Sequence, residues 1–206
     1  IISVQLANFL SICTFTPKID FIDNLFPIVT PFIVIYVGAY VFWFICPIIN
    51  SKAPRQRYAD YIVGFIVAYL VGAIFLALFN GTMDRVVENV YIDEINDVFT
   101  LVHQFFVRVM DEGRMAPNLL PSFHALTSVF CYLGVAKCKE ISEPTRVTVF
   151  VICIAILFST LFTKQHYVLD LVAGSLFAII FYFLSRKFHW GRIIVPILRK
   201  FDGRGE

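Results

Sequence analysis

The sequence predicts an all-α, polytopic membrane bundle of about six transmembrane helices, with an amphipathic interfacial helix between the third and fourth spans. Three observations predict it. Of the 206 residues 59% are hydrophobic, where a soluble domain carries about 45–50%, and the mean hydropathy is +0.78. Uncharged runs cover 1–17, 24–51, 61–83, 115–136, 147–163 and 171–185, near the roughly 17–25 apolar residues that cross a bilayer. Finally, the Lys and Arg residues gather in alternate connections.

The spans are predicted at about 1–16, 25–49, 60–80, 119–136, 146–163 and 165–185. The chain opens inside an apolar run (Ile1, Ile2, Val4, Leu6), so the first span reads as the second half of a helix whose start is missing. A cleaved signal peptide fits poorly, because no basic n-region or small-residue cleavage site precedes it. The sixth span is long enough only with His166 and Asp170 inside the helix. No internal repeat or low-complexity segment divides the chain, and residues 1–206 are read as a single transmembrane catalytic domain, with about 186–206 as its basic tail.

Lys52, Arg55 and Arg57 sit between spans two and three. Lys137, Lys139 and Arg146 sit between spans four and five, and Arg186, Lys187, Arg192, Arg199, Lys200 and Arg204 in the tail. These three segments alternate onto one side, which the positive-inside rule makes cytoplasmic. The other side carries the 17–24 turn, a long acidic segment over 81–118 and a tight turn near 163–165. Within the long segment Ile95, Val98, Phe99, Val102, Phe105, Phe106 and Val109 recur at helical spacing, opposite Asp93, Glu94, Asp97, Gln104 and Arg108. That pattern predicts an amphipathic helix on the outer membrane surface, acting as a cover over the bundle end or as a lid at a lipid entrance. The tail mixes its cations with Phe188, Trp190, Ile193, Ile194, Ile197 and Leu198 and reads as an anchor on the anionic inner leaflet.

Net charge is +2, but it is dispersed over separate loops. That is a topology signal and argues against nucleic-acid binding. The five cysteines (Cys13, Cys46, Cys131, Cys138, Cys153) form no CxxC and no metal-ligand spacing with histidine. They are expected to be buried apolar fillers. No metal and no cofactor is expected.

Ionisable groups inside spans cost about 2.5 kcal/mol or more each, so the few present demand a reason. His124 lies near the start of the fourth span, His166 and Asp170 near the start of the sixth, Lys164 between the fifth and sixth, and Arg85 just past the third. Threading the spans puts all five at the acidic end. His166 and Asp170 are four apart and share a helix face. A carboxylate behind an imidazole fixes its tautomer and leaves the far nitrogen as base or nucleophile, although HxxxD alone also suits a buried helix staple. Pro121 suits a first helical turn, whose free N–H groups make an anion site, with Ser122 and His124 at the same end. Together the two motifs supply a nucleophile, its orienting acid, a second histidine and donors for a tetrahedral anion. Phosphoryl transfer needs that inventory, since its catalysis is mostly positioning and charge stabilisation.

At these residues the chain resembles the type 2 phosphatidic acid phosphatase superfamily. Its Pro-Ser-x-His motif is matched by Pro121, Ser122 and His124. Its Ser-Arg-x5-His-x3-Asp motif is matched by Ser159, His166 and Asp170, with Thr160 at the arginine. The text around this motif is similar to a bacterial branch of membrane lipid phosphatases and phosphotransferases. Its Lys-x6-Arg-Pro motif keeps only Arg85, with Leu78 at the lysine and Val86 at the proline. The resemblance spans about residues 60–185. It implies that His166 attacks phosphorus, Asp170 orients it and His124 protonates the leaving alcohol. Ser122 and Arg85 then bind phosphate oxygens, with Lys164, Ser159 and Asn118 as further phosphate-side residues. Lys164 would replace a missing cation with its flexible stem, or else snorkel at a helix end. His103 and His189 are given no role. The implied function is a membrane lipid phosphate phosphatase working through a phosphohistidine at the extracytoplasmic face of a bacterial cell membrane. The alternatives are a lipid headgroup phosphotransferase and an inactive phospholipid-binding scaffold. The partners are a lipid phosphate and membrane lipids.

Overall fold

Among the described residues helices account for most of the long uncharged runs, and many of their large aliphatic side chains are exposed. The computed structural model describes residues 13–110, 115–116 and 119–201. The described residues open with strand β1 (Cys13–Phe15) and a single turn α1 (Asp20–Asp23). Helix α2 (Ile33–Asn50) follows a 3-10 turn at Thr30–Phe32, and α3 (Arg55–Leu78) follows α2. The segment after α3 contains β2 (Phe79–Gly81), β3 (Met83–Asp84), α4 (Val98–Phe105) with a π-helical turn at Phe106–Met110, and β4 (Met115–Ala116). Then come α5 (Phe123–Val135), α6 (Glu143–Phe162) and α7 (Val168–Phe188), a 3-10 turn at Trp190–Ile193, and α8 (Val195–Phe201).

Four helices, Thr30–Asn50, Arg55–Leu78, Glu143–Phe162 and Val168–Phe188, are long and apolar enough to cross a membrane, and Phe123–Val135 is a shorter apolar helix. This is a helical membrane bundle. Val34, Val41, Phe44 and Ile48 of α2 are exposed, whereas Tyr36, Ala39, Phe42 and Cys46 are buried. An outward aliphatic face suits lipid, which takes apolar side chains as readily as a protein core does. Inside, small residues let helices approach closely. A Cβ on Gly64 of α3 would lie 2.7 Å from the Ser185 Cβ of α7. On Gly134 of α5 it would lie 2.2 Å from Asn50 Oδ1 of α2.

Several expectations change, the sixth span among them: α7 begins at Val168 with Tyr167 as its N-cap, so His166 lies just before the helix and only Asp170 lies inside it. Residues 1–12 of the expected first span lie outside the described residues, but Cys13–Phe15 is a strand pairing in parallel with β2, Cys13 opposite Phe79 and Phe15 opposite Gly81. A short apolar run reads alike as helix or buried strand; here the unpaired backbone after α3 supplies an edge for it. Cys13 is correspondingly exposed, while the other four cysteines are buried. The fourth span begins at Phe123 rather than 119, because Leu119–Ser122 forms a turn whose Leu119 N–H donates to Gly81 O (3.2 Å). At about 1.5 Å per residue its 13 residues reach only about 20 Å, so its N-terminus is sunk beneath the bundle end. Pro121 therefore precedes the helix instead of opening it, and Ser122 is the N-cap.

The amphipathic helix exists as α4, with its polar stripe turned inward: His103 is 0% exposed and Gln104 2%, while Val98 is 62% and Leu101 53% exposed. Asp97 caps it by accepting from Thr100 N (2.7 Å). Gln104 Nε2 donates to Val90 O (2.9 Å), and Thr100 hydroxyl pairs with Thr30. The helix is thus a cover whose apolar face points away from the protein.

At the opposite end the three basic segments meet. Arg57 donates to the backbone oxygens of Gly134, Ala136 and Lys137, satisfying the last carbonyls of α5. Asp60 of α3 is fully buried and accepts from Gln56 Nε2 (2.8 Å), Gly191 N (2.9 Å) and Arg186 Nη1 (3.3 Å). It also lies 3.6 Å from His189 Nδ1. His189, expected only to anchor the tail, ends α7 in the left-handed conformation at φ 51°.

Candidate active site

The site is assembled where the first turns of α5 and α7 touch. Ser122 N–H donates to the Asp170 carbonyl (3.0 Å). A Cβ on Gly174 would fall 2.2 Å from the Ser122 carbonyl oxygen, so no larger residue would let α7 pass this close. Ser122 Oγ accepts from Ala125 N (3.3 Å), an N-cap bond that leaves the hydroxyl proton available. As the second residue of α5, His124 carries its ring at the same end.

The two histidine rings meet edge to face, centroids 5.5 Å apart. Tyr36 stacks on the other face of His124 at 4.5 Å, and Trp43 and Tyr40 approach it at 5.0 and 6.1 Å. Trp43 is itself fixed by its indole N–H to Ser128 Oγ (2.9 Å). The imidazole has therefore little freedom, and its Nε2 is buried with no hydrogen-bond partner among the described residues.

His166 and Asp170 form the second half. Asp170 is fully buried, and its Oδ2 accepts from Tyr167 N (2.8 Å), half of a capping box for α7. The same oxygen is 3.5 Å from His166 Nδ1, beyond a normal hydrogen bond. His166 Nδ1 and Asp170 Oδ1 are both without a partner among the described residues. Catalytic hydrogen bonds are often long before substrate arrives, and a slight rotation of the imidazole would close this one.

Arg85 reaches the same turn from beyond β3. It is 1% exposed, with Nη1 donating to Lys164 O (3.3 Å) and Nη2 to Gln165 Oε1 (3.2 Å). Of the expected residues, His124, His166, Asp170, Ser122 and Arg85 thus converge on one end of the bundle. Ser159 is buried behind them: its hydroxyl donates to Ile156 O (2.7 Å) within α6, and its carbonyl accepts from Thr163. Lys164 does not snorkel. Its ammonium donates to Asp23 O (3.0 Å) and lies 4.0 Å from Glu88 Oε2. Burial pushes it below the usual lysine range, with Glu88 pulling the other way. Asn118 lies outside the described residues.

Several residues join that the motifs did not reveal. Asp23 accepts from Val168 N (2.8 Å) and Ile19 N (2.6 Å), so the turn before α2 caps α7 from outside. Glu88 accepts from Lys18 (2.8 Å) and from the Tyr167 hydroxyl (3.1 Å). His103, given no role, donates from Nε2 to Thr163 O (3.0 Å) beneath α4, directly before Lys164. The only hint in the sequence was that Asp23 and Glu88 are acids beside apolar runs. Among the described residues no group of three or more His, Cys, Asp or Glu side chains could hold a metal ion.

Chemically, the arrangement offers one imidazole backed by a carboxylate, a second imidazole beside it, a guanidinium, and the N-terminus of α5. That set can bind a tetrahedral anion and exchange protons with it. A family model described as the PAP2 superfamily matches residues 15–184. No curated protein and no solved structure matches the chain.

Proposed function

The chain belongs to the PAP2 superfamily, a family of generally phosphatase-type membrane enzymes, and from that premise we propose that it is a lipid phosphate phosphatase acting through a phosphohistidine. The observation that carries this reading is the His124–His166 pair, 5.5 Å between ring centroids, with Asp170 3.5 Å behind His166. A phosphate between the rings meets a nucleophile on one side and a proton donor on the other.

In this reading Asp170 holds the proton on His166 Nδ1, and Nε2 attacks phosphorus. The N–P bond forms as the P–O bond to the lipid alcohol breaks, and His124 gives that oxygen its proton. Water then attacks the phosphohistidine. His124 takes the water's proton, the N–P bond breaks, and inorganic phosphate leaves. Arg85, Ser122 and the α5 N-terminus neutralise charge on the non-bridging oxygens. Ser159 and Lys164 act behind this set, since their donors are engaged by Ile156, Asp23 and Glu88. The site end lies opposite the basic loops, and the Lys and Arg bias assigns it to the extracytoplasmic face of the cell membrane.

One observation favours a second reading. Thr160, at the family's arginine, donates its hydroxyl to Leu157 O (2.8 Å) and brings no charge to the site. A cradle with fewer cations suits a headgroup phosphotransferase, in which an alcohol replaces water in the second step. The test is purified protein incubated with lipid monophosphates, pyrophosphates and phosphodiesters, quenched and assayed for acid-labile phosphate on the chain. Free phosphate with a trapped phosphohistidine supports the phosphatase, and a new phospholipid supports the transferase. Binding without turnover of any member leaves a phospholipid-binding scaffold.

A further inference from the structure

We propose that Gln165 is a phosphate ligand of this site, its side-chain amide standing where the motif's arginine would reach. The proposal rests on the phosphatase-type reading above and adds a residue to it.

Three observations converge. First, Thr160 cannot serve: it is fully buried and its hydroxyl proton is spent on Leu157 O (2.8 Å) in its own helix. Secondly, Gln165 is built directly onto Thr160. The backbone N–H groups of Gln165 and His166 both point at the Thr160 carbonyl, at 2.9 and 3.3 Å. The backbone of the glutamine is therefore held against that of Thr160, one residue from the nucleophile. Thirdly, its amide has a fixed orientation. Gln165 Oε1 accepts from Arg85 Nη2 (3.2 Å), and a guanidinium can only donate, so the NH2 group must face away from Arg85.

That NH2 group is the anomaly. Gln165 is 6% exposed, and its Nε2 has no hydrogen-bond partner among the described residues. A buried donor left unpaired carries its full desolvation cost, a cost that folding alone does not explain. The orphan does not stand by itself. His166 Nδ1, Asp170 Oδ1 and His124 Nε2 are orphaned in the same site. An oxyanion held by Arg85 would meet the Gln165 amide next to it, and two N–H donors would then bind oxygen without adding charge.

The competing explanation is that Gln165 merely positions Arg85. Gln165→Glu keeps that positioning, because a carboxylate is nearly the same shape and accepts from Arg85 at least as well. Only the donor is lost, replaced by a negative charge facing the anion. Binding of inorganic phosphate to the purified full chain, with thermal unfolding as the control for folding, reads the result. A ligand role predicts that Gln165→Glu loses phosphate affinity by about tenfold or more, as for hydrogen bonds to charged groups, at an unchanged unfolding midpoint. Wild-type affinity in Gln165→Glu, despite the added charge, overturns the proposal. Gln165→Met, which adds no charge, is therefore compared in the wild-type and Arg85→Met backgrounds: a further loss of about tenfold without Arg85 supports the ligand role, and no further loss, as when Gln165 only positions Arg85, overturns it. Wild-type protein that binds phosphate and turns over lipid phosphate while Gln165→Glu matches it sinks only this assignment. Wild-type protein that binds no phosphate sinks the assignment and the phosphatase-type reading together.

Discussion

Each end of the bundle is built around one fully buried aspartate, and the two are finished differently. Asp60, at the basic end, has both oxygens hydrogen-bonded: Gln56 and the Gly191 N–H on one and Arg186 on the other, with Ser185 donating to its backbone carbonyl (2.6 Å) and His189 Nδ1 standing off at 3.6 Å. Asp170, at the site end, has one oxygen shared between Tyr167 N and a distant His166 Nδ1, and one with no partner among the described residues. A buried charge survives at low cost only when its lone pairs are satisfied. The contrast separates a carboxylate that holds helices together from one kept available for chemistry.

The largest effects should fall at the unsaturated end. His166→Ala should abolish turnover while phosphate still binds, because Arg85, Ser122 and the α5 N-terminus remain. Asp170→Asn should leave a folded protein whose turnover is lower by about 10³–10⁴, the scale seen when a triad carboxylate is neutralised. Rate measurements beside phosphate binding check both. Substantial turnover in His166→Ala would end the histidine-nucleophile reading and with it the contrast drawn here.

Asp60→Ala should do the reverse. It strips one partner from a buried charged cluster, a loss of about 3–5 kcal/mol in comparable cases. The expected outcome is a much lower unfolding midpoint in detergent with turnover per folded molecule unchanged. A catalytic defect at full stability would show that the basic end also communicates with the site.

Lys164→Met sharpens the comparison within the site end. The ammonium is already engaged by the Asp23 carbonyl and by Glu88, which also holds Lys18. Its removal should lower stability modestly, by about 1 kcal/mol as for a partly buried polar contact, and leave phosphate affinity unchanged. A clear rise in the phosphate dissociation constant would place Lys164 among the ligands instead.

The division between legible and hidden features follows from distance along the chain. Pro121-Ser122-x-His124 and His166-x3-Asp170 are local patterns, so short separation along the chain brings each set together, with Pro121, Ser122 and His166 lying just before their helices. Arg85 could be read from its place just beyond a span. Asp23 and Gln165 could not, because their meaning lies in partners far away: Asp23 caps Val168 across 145 residues and Gln165 meets Arg85 across 80. Asp60 likewise reads as an incidental charge until Gly191, 131 residues later, is seen against it. Periodicity located α4 but not which face turns inward, since a stripe has the same period either way. The strand at Cys13–Phe15 was hidden because its pairing partner, Phe79–Gly81, was read as the end of a helix.

The smallest effect expected is a pH dependence centred on α4. His103 is fully buried, with Nε2 at Thr163 O (3.0 Å) and Nδ1 at Gln104 Nε2 (3.1 Å). Gln104 Oε1 is taken by Arg108 (3.1 Å), so its NH2 faces His103, and Nδ1 must accept while Nε2 donates. Both nitrogens are satisfied only in the neutral ring. Burial lowers the His103 pKa below 6.5, and nearby Arg85 pushes the same way against the Thr163 bond. The sign follows from proton counts. Just below pH 6.5 the unfolded chain binds a proton that the folded chain refuses, so stability rises with pH through this window. The contribution is complete above about 6.5 and is lost as pH falls towards the depressed folded value. Thermal midpoints between pH 5 and 8 should therefore fall on the acid side in wild-type protein. They should fall less in His103→Gln, which keeps a donor for Thr163 O and cannot titrate. Turnover at pH 7.5 should be the same in both proteins, because His103 holds the Thr163 turn and touches no reacting atom. Identical acid slopes would mean that the α4 cover opens before the ring charges, and would make the cover a looser element than its buried polar stripe suggests.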